Sequence, residues 1–346
     1  MIKIYTKTEF LLPEDDRLFF PLLVELYLDK NPQILEHYSL VETPDECDVL
    51  VLPLAVNYCL ENGKTDLVSF FKSKAKQLNK HLWLYSPGDM GLTLNDDKIL
   101  VFRMSDFKSF QNRSTVIMPA FFRNPYSGIY NNQPLTYHSK TPNPIVGYVG
   151  HAKGGILKFI TTYVNYLKVN FEIFLKKYHA DYFIFYHSSF ERLKWLKKIA
   201  SNENIESHFI YREKYRAGAI TKEEKQKTTL EFYDNIKKSQ YTFCMRGGGN
   251  FSIRLYETLA FGRIPIFIDT DCILPLEQII DWSKHCLVIK ENEIQSVTTK
   301  IIDFHNSLSE EEFINMQKNN NLLREKYLTR SGFFIHFHDV FLHDKL

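Results

Sequence analysis

Close cysteine pairs are missing from this 346-residue sequence. Cys47, Cys59, Cys244, Cys272 and Cys286 form no CxxC, and none joins a histidine at zinc-ligand spacing. That argues against a disulfide framework and a structural zinc site, and fits free thiols in a reducing compartment. No run of about 18 or more apolar residues occurs, so no segment is expected to span a membrane. The opening Met-Ile-Lys-Ile-Tyr-Thr has no basic start followed by an apolar run, so it reads as a short strand rather than a secretion signal. A cytoplasmic location is the expectation, with peripheral membrane contact left open by the abundant basic and aromatic residues. A surplus of either charge is also missing: 43 Lys and Arg against 41 Asp and Glu leave +2. Nucleic-acid binding would need a basic stripe, and none is present, so no nucleic acid is expected as a partner. The Lys222–Lys227 run alternates with Glu and reads as a solvated helix face. Internal repeats and low-complexity tracts are absent as well.

What the sequence does have is apolar and aromatic substance for two cores: 44% hydrophobic residues, 28 Phe and 20 Tyr. The length exceeds the roughly 100–200 residues of one domain, so two domains are expected. Short apolar runs alternate with helical stretches throughout, the pattern of α/β layers with parallel sheets. In the first half the expected strands are Ile2–Tyr5, Val49–Pro53, Leu82–Tyr85, Ile99–Phe102 and Val116–Met118, with helices over Pro21–Leu28 and Thr65–Leu78. Tyr126 to Pro144 is polar and proline-rich without apolar periodicity, the best linker candidate. A second series follows at Ile145–Gly150, Tyr182–Tyr186, Ser207–Tyr211, Tyr241–Met245, Ile264–Ile268 and Cys286–Ile289. Ile156 to Tyr178 reads as one long amphipathic helix. Ligands of open α/β sheets bind at the carboxyl ends of the strands, so a cleft between the domains is the expected site.

The segment from Tyr241 to Ile268 is the most informative. An apolar strand runs into Arg246 and the glycines Gly247, Gly248 and Gly249, then a helix, a stop at Gly262 and another strand. Glycines at a strand-to-helix turn let a ligand approach the backbone, and the first helical N–H groups attract an anion. Arg246 adds positive charge there, so a phosphate or diphosphate is the natural guest. On the helix, Phe251, Leu255 and Leu259 form a buried stripe, while Asn250, Arg254 and Glu257 form a separate polar one. Arg254 could reach a phosphate. Glu257, about one turn on, could accept hydrogen bonds from vicinal ribose hydroxyls. The competing structural reading is a surface Arg254–Glu257 ion pair beside a tight turn, which leaves Arg246 and the three glycines unexplained.

Ser239 to Val288 resembles the C-terminal signature of the exostosin-type inverting glycosyltransferases. The residues that carry the resemblance are Arg246–Gly249, Arg254, Glu257, Gly262-Arg-Ile-Pro265, Asp269–Pro275 and Asp281-Trp282. Leu52-Pro-Leu, Val101–Ser109 with Ile117–Phe121, and Gly147–Lys153 are similar to other segments of the family. Asp-Cys-Ile-Leu-Pro-Leu stands where relatives often have Pro-Phe. The resemblance implies a GT-B fold: two Rossmann-like domains facing a cleft, with a C-terminal tail packing back on the first. The expected division is 1–140 on the acceptor side, 141–330 on the nucleotide-sugar side and 331–346 as the tail. It also implies metal-independent inverting transfer from a nucleotide-sugar co-substrate, with no cofactor, to a glycan or lipid-linked acceptor, as in surface polysaccharide synthesis.

Such a reaction needs a base for the acceptor hydroxyl and positive charge for the departing diphosphate. Gly247–Asn250, Arg246 and Arg254 are the first candidates for the charge. Arg212, Arg216, His151 and Lys153, each in a loop after a strand, are candidates for further donor contacts. Asp89, in Ser86-Pro-Gly-Asp-Met-Gly91 after a strand, leads as the base, with Glu14, Asp15 and Asp16 as competitors. Arg103 could hold an acidic acceptor or orient the base. Asp269-Thr-Asp271 has the spacing of a metal-binding D-x-D but lies within the exostosin-like pattern, so a sugar-side or structural loop is expected. Two other readings stay open. One is an NAD(P)-dependent oxidoreductase, since strand, glycine turn, helix and Asp269 loosely mimic a dinucleotide fingerprint. The other is a non-catalytic protein that binds a nucleotide sugar or glycan.

Overall fold

The computed structural model describes residues 1–343 except 111 and 113, with backbone only at 13–15 and 215. Two all-parallel sheets form the frame. The first, of six strands, runs in the order β2-β1-β3-β4-β5-β6, from β1 (Ile2–Tyr5), β2 (Tyr38–Val41), β3 (Val49–Val51), β4 (His81–Tyr85) and β5 (Ile99–Arg103) to β6 (Thr115–Ile117). The second, of five, runs β11-β10-β9-β7-β8, from β7 (Ile145–His151), β8 (Glu206–Arg212), β9 (Tyr241–Cys244) and β10 (Ile264–Asp269) to β11 (Leu287–Lys290). Strands such as Ile99–Arg103 and Tyr241–Cys244 are buried along their whole length, as sheets covered on both faces require. This is the expected GT-B arrangement of two Rossmann-like sheets.

The principal helices are α1 (Thr65–Leu78), α2 (Ile156–Phe174), α3 (Ser188–Ala200), α4 (Lys222–Lys238), α5 (Ile253–Ala260), α6 (Val297–Ser307), α7 (Glu310–Tyr327) and α8 (Arg330–Leu342). A Thr221–Glu224 capping box starts α4 and a Ser309–Glu312 box starts α7. The tail helix α8 returns to the first domain. Phe334 and Phe337 pack on Phe102, Phe337 and Phe341 on Trp83, and the Tyr38 hydroxyl donates to the Phe334 carbonyl. Such aromatic pairs contribute about 0.5–1.5 kcal/mol each beyond burial, so the tail is part of that core.

Two segments depart from the sequence reading. The strand at Tyr38–Val41 was not expected, and pairs with β1 at the sheet edge. Tyr182–Tyr186, expected as a strand, joins neither sheet. The Asn170 side chain satisfies both the N–H and the carbonyl of Phe183, at 2.8 and 3.1 Å. Asp181 meanwhile reaches the first domain. Its N–H donates to the Gly91 carbonyl, and its carboxylate accepts from the Thr93 N–H and hydroxyl and from Arg103, the last at 2.8 Å. Residues 179–186 thus form a strap between the domains, in which the Asp181 N–H and the Phe183 N–H and carbonyl have partners other than a sheet neighbour.

Candidate active site between the domains

In the second sheet β7 pairs with β8 on one side and β9 on the other, so the chain direction across the sheet reverses between β7 and β9. A crevice opens at the carboxyl ends of strands at such a reversal. A cavity of about 500 Å³ lies there, lined by Gly150 and His151 at the end of β7, where His151 was expected in the loop beyond, by Gly247 and Gly248 after β9, and by Arg254 and Glu257 on α5. Arg192, Arg212, Arg216, Tyr233 and Asp89 complete its polar wall. Four of the lining residues are arginines and two are carboxylates.

Each of these groups is held in place. Arg254 donates to the Val149 carbonyl at 2.9 Å and lies over the Tyr148 ring, 4.3 Å from its centroid. Arg192 donates to the carbonyls of His151 and Arg246, at 3.3 and 2.6 Å, and so ties the ends of β7 and β9 together. Arg212 pairs with Glu231 and with the Thr228 carbonyl. Arg216 sits in a left-handed turn at φ 48°. Buried side-chain nitrogens without a hydrogen-bond partner gather around the cavity: Nε of Arg192, Arg212 and Arg254, and Nε2 of His151. Burial, with the neighbouring Lys158 and Arg192 charges, holds the His151 pKa below its usual value.

Glu257 accepts a hydrogen bond from the Tyr233 hydroxyl at 3.1 Å. Burial pushes its carboxyl up to about 7, against the opposing influence of Arg254, the Tyr233 hydrogen bond and Arg216. Glu257 lines a pocket whose other acidic residue is Asp89.

A second cavity of about 250 Å³ lies on the other side of Asp89, which together with Gly248 lines both. Its wall contains Arg103, Asp106, Asp181, Arg246, Gly249 and Asn250, and the aromatic residues Phe107, Phe110, Tyr182 and Phe183. The Ser105 hydroxyl holds the Asp89 carbonyl at 2.8 Å. A Cβ on Gly248 would come within 2.5 Å of the Asp89 carboxylate, so only glycine admits this approach. Burial raises the Asp89 pKa, while a hydrogen bond from the Gly249 backbone and the Arg246 charge pull it down.

The geometry sorts the expected residues. Asp89, His151, Arg212, Arg216, Gly247, Gly248, Arg254 and Glu257 share the larger cavity, although they come from five separate stretches of chain. Arg246, Gly249 and Asn250, expected on the same diphosphate, line the smaller one instead. Arg246 lies between the Phe107 and Tyr186 rings, at 5.2 and 4.5 Å, and donates to the Gly248 carbonyl. The Asn250 amide is saturated by the carbonyls of Asp106 and Asp271 and by the Thr270 hydroxyl, and α5 begins only at Ile253. Asn250 is thus a clamp across the domain boundary rather than the first residue of the polar stripe. Lys153 lines neither cavity and pairs with Glu213 on the surface. Arg103 faces the smaller cavity with its guanidinium bound to Asp181 and Thr93. The side chains of Glu14 and Asp15 lie outside the described residues. Asp16 is exposed and lines neither cavity.

Asp269 accepts from the Cys272 N–H and Asp271 from Ser109, so the D-x-D pair is engaged in holding its own loop and the domain contact. Arg192 and Tyr233 were not foreseen. Arg192 stands at i, i+3, i+4, i+7 with the buried Trp195, Leu196 and Ile199 of α3. An arginine on an apolar stripe is the signal that could have found it. The five cysteines are buried free thiols. Among the described residues no helix is long and apolar enough to cross a membrane.

Residues 191–303 match the model of the Exostosin GT47 domain. The match contains the Ser239–Val288 segment and bears out the exostosin-like resemblance read there; it also takes in Arg192, Arg212 and Arg216. The chain is 28% identical over 68 residues to the probable glucuronosyltransferase GUT1 of Oryza sativa subsp. japonica, which covers 20% of this chain and 16% of that protein. It is 28% identical over 68 residues, with the same coverages of 20% and 16%, to the probable β-1,4-xylosyltransferase IRX10 of Arabidopsis thaliana. The aligned region thus spans about 16% of the length of these curated relatives. Among solved structures, S. aureus TarM is similar at 11% identity and a TM-score of 0.39, over 84% of this chain and 54% of that one.

Proposed function

We propose that this chain is an exostosin-type, inverting glycosyltransferase. In this reading a nucleotide-diphosphate sugar lies in the larger cavity, and a glycan or lipid-linked oligosaccharide enters the smaller one, as in the building of a surface polysaccharide. The observation that carries the reading is the position of Asp89, the one carboxylate that lines both cavities. A base for the acceptor hydroxyl has to stand at that junction.

The step follows from the placement. Asp89 takes the proton of the acceptor hydroxyl, the acceptor oxygen bonds to the anomeric carbon from the face opposite the leaving group, and the carbon–oxygen bond to the diphosphate breaks. The electron pair leaves with the diphosphate, which Arg192, Arg212, Arg216 and Arg254 neutralise without the need for a metal. Glu257, held by Tyr233, accepts from the ribose hydroxyls. Arg246, beside Asp89, orients the base and favours its charged form. The oxidoreductase reading is weakened by Asp269, which lines neither cavity and so offers a dinucleotide no ribose partner.

A thermal-shift screen of UDP, GDP, TDP, CDP, CMP, ADP and NAD(P)(H), each with magnesium and with EDTA, tests the proposal. Native-state binding raises the midpoint. A rise with one nucleoside diphosphate, unchanged by EDTA, is expected. A rise with NAD(P)(H) alone would replace the proposal by the oxidoreductase, and no rise with any of them would favour the non-catalytic reading.

A further inference from the structure

Helix α2 has three faces. Phe159, Tyr163 and Tyr166 pack on Phe185 of the strap, and Asn170 bonds Phe183. Lys158, Asn165, Lys168 and Glu172 share a polar face. The third face is apolar and uncovered: Ile156, Ile160, Val164, Leu167, Phe171 and Phe174 recur every three or four residues and are 49–76% exposed. At about 100° per residue these six fall on one stripe. A soluble helix normally turns such a stripe inward, and a contiguous outward one marks an interaction surface.

Charge identifies the occupant. Residues 156–178 contain Lys158, Lys168, Lys176 and Lys177 against Glu172, four minus one, or +3. This 23-residue stretch is therefore more positive than the whole chain, at +2. A second copy bound about a two-fold axis would bring two such +3 rims together, which is repulsive. An anionic lipid surface has the opposite sign, and an amphipathic helix with lysines beside its apolar face has the composition of an interfacial helix. Tyr182 and Ile184 of the strap are exposed as well, and line the smaller cavity.

We infer that α2 is a membrane-docking helix. It lies in the interface of an anionic bilayer, its apolar stripe among the acyl chains and its lysines at the headgroups, and sets the mouth of the smaller cavity at the lipid surface. The docking rests on α2 and on Lys176 and Lys177 just after it. The delivery of a lipid-linked acceptor to that mouth rests on the function proposed above.

Flotation of the full chain with vesicles of phosphatidylcholine, and of phosphatidylcholine mixed with phosphatidylglycerol, is the test. The chain is expected to float with the mixed vesicles at least about tenfold better than with the neutral ones, and less well as salt rises. The double variant Leu167→Glu/Phe171→Glu changes exposed side chains only, so it should melt like the parent and lose at least about tenfold in vesicle binding. Lys168→Ser/Lys176→Ser/Lys177→Ser should remove the preference for anionic vesicles. Failure of the parent to float, or unchanged binding by the double variant, would overturn the inference. So would a dimer in vesicle-free sedimentation that the double variant converts to a monomer, since the stripe would then belong to a second copy. The nucleotide thermal shift, measured on the same proteins, separates the two proposals: a chain that floats but binds no nucleotide supports docking and removes only the donor site.

Discussion

The two cavities that meet at Asp89 differ in charge as well as in size. The larger is lined by four arginines and two carboxylates, the smaller by Arg103 and Arg246 against Asp89, Asp106 and Asp181. In the larger, the arginines outnumber the carboxylates. In the smaller, Arg103 is already paired with Asp181, and aromatic rings supply much of the wall. A site with surplus positive charge is built for a phosphate-bearing ligand. One with no positive surplus, beside aromatic faces, suits a neutral polyhydroxyl guest. On the function proposed above, the larger side takes the diphosphate and the smaller side the acceptor, with Asp89 lining both.

The sharpest way to break this division is at the shared wall. Asp89→Asn keeps the shape but removes the base. Turnover should fall by about 10²–10⁴-fold, while the diphosphate thermal shift stays as in the parent. Steady-state kinetics beside the shift assay checks both halves. Full turnover would show that the base lies elsewhere, and loss of diphosphate binding would show that Asp89 is a structural part of the donor wall.

Next in size is the contrast between two arginines that the sequence places together and the structure separates. Arg254→Gln should weaken diphosphate binding by roughly 10–100-fold, the cost of a charge-assisted contact. Arg246→Gln should leave that binding nearly unchanged and lower turnover, because its guanidinium faces the smaller cavity. Calorimetric titration with the diphosphate measures the first effect directly. Equal losses in both variants would merge the cavities into a single donor site.

That separation also marks what the sequence could reveal. Strand, glycine turn and α5 are local, so the turn and the placement of Arg254 and Glu257 on one polar stripe were legible from spacing alone. The side to which Arg246 turns was not, because it depends on Phe107 and Tyr186, which come from distant parts of the chain. The strap was misread for the same reason. Tyr182–Tyr186 has the apolar content of a strand, but Asn170 takes the Phe183 backbone and Gly91, Thr93 and Arg103 of the first domain hold the preceding Asp181, contacts that the segment's own residues do not encode. Asp89 was legible as a residue in a loop after a strand, but its closeness to Gly248 needed both domains in place.

The smallest effect expected concerns Glu257 and turns on pH. Its carboxyl, ordinarily near 4.5, is raised to about 7 in the folded chain. Between those values the folded state holds a proton that the unfolded state releases, so stability falls as pH rises through this window, and the loss is complete above about 7. Glu257→Gln removes the buried charge. The ligand-free variant should therefore melt higher than the parent at pH 8, with the difference shrinking toward pH 4.5. Its nucleotide affinity should change the other way, falling several-fold at pH 8 because a carboxamide offers the ribose hydroxyls one acceptor oxygen in place of two. In the parent, the same affinity should weaken as pH falls through 7 and the carboxylate is protonated. Opposite signs for stability and binding are what a ligand-facing carboxylate in the larger cavity requires. A variant that lost both together would make Glu257 a structural partner of Tyr233 and Arg254, and would leave the arginines alone to define the donor side.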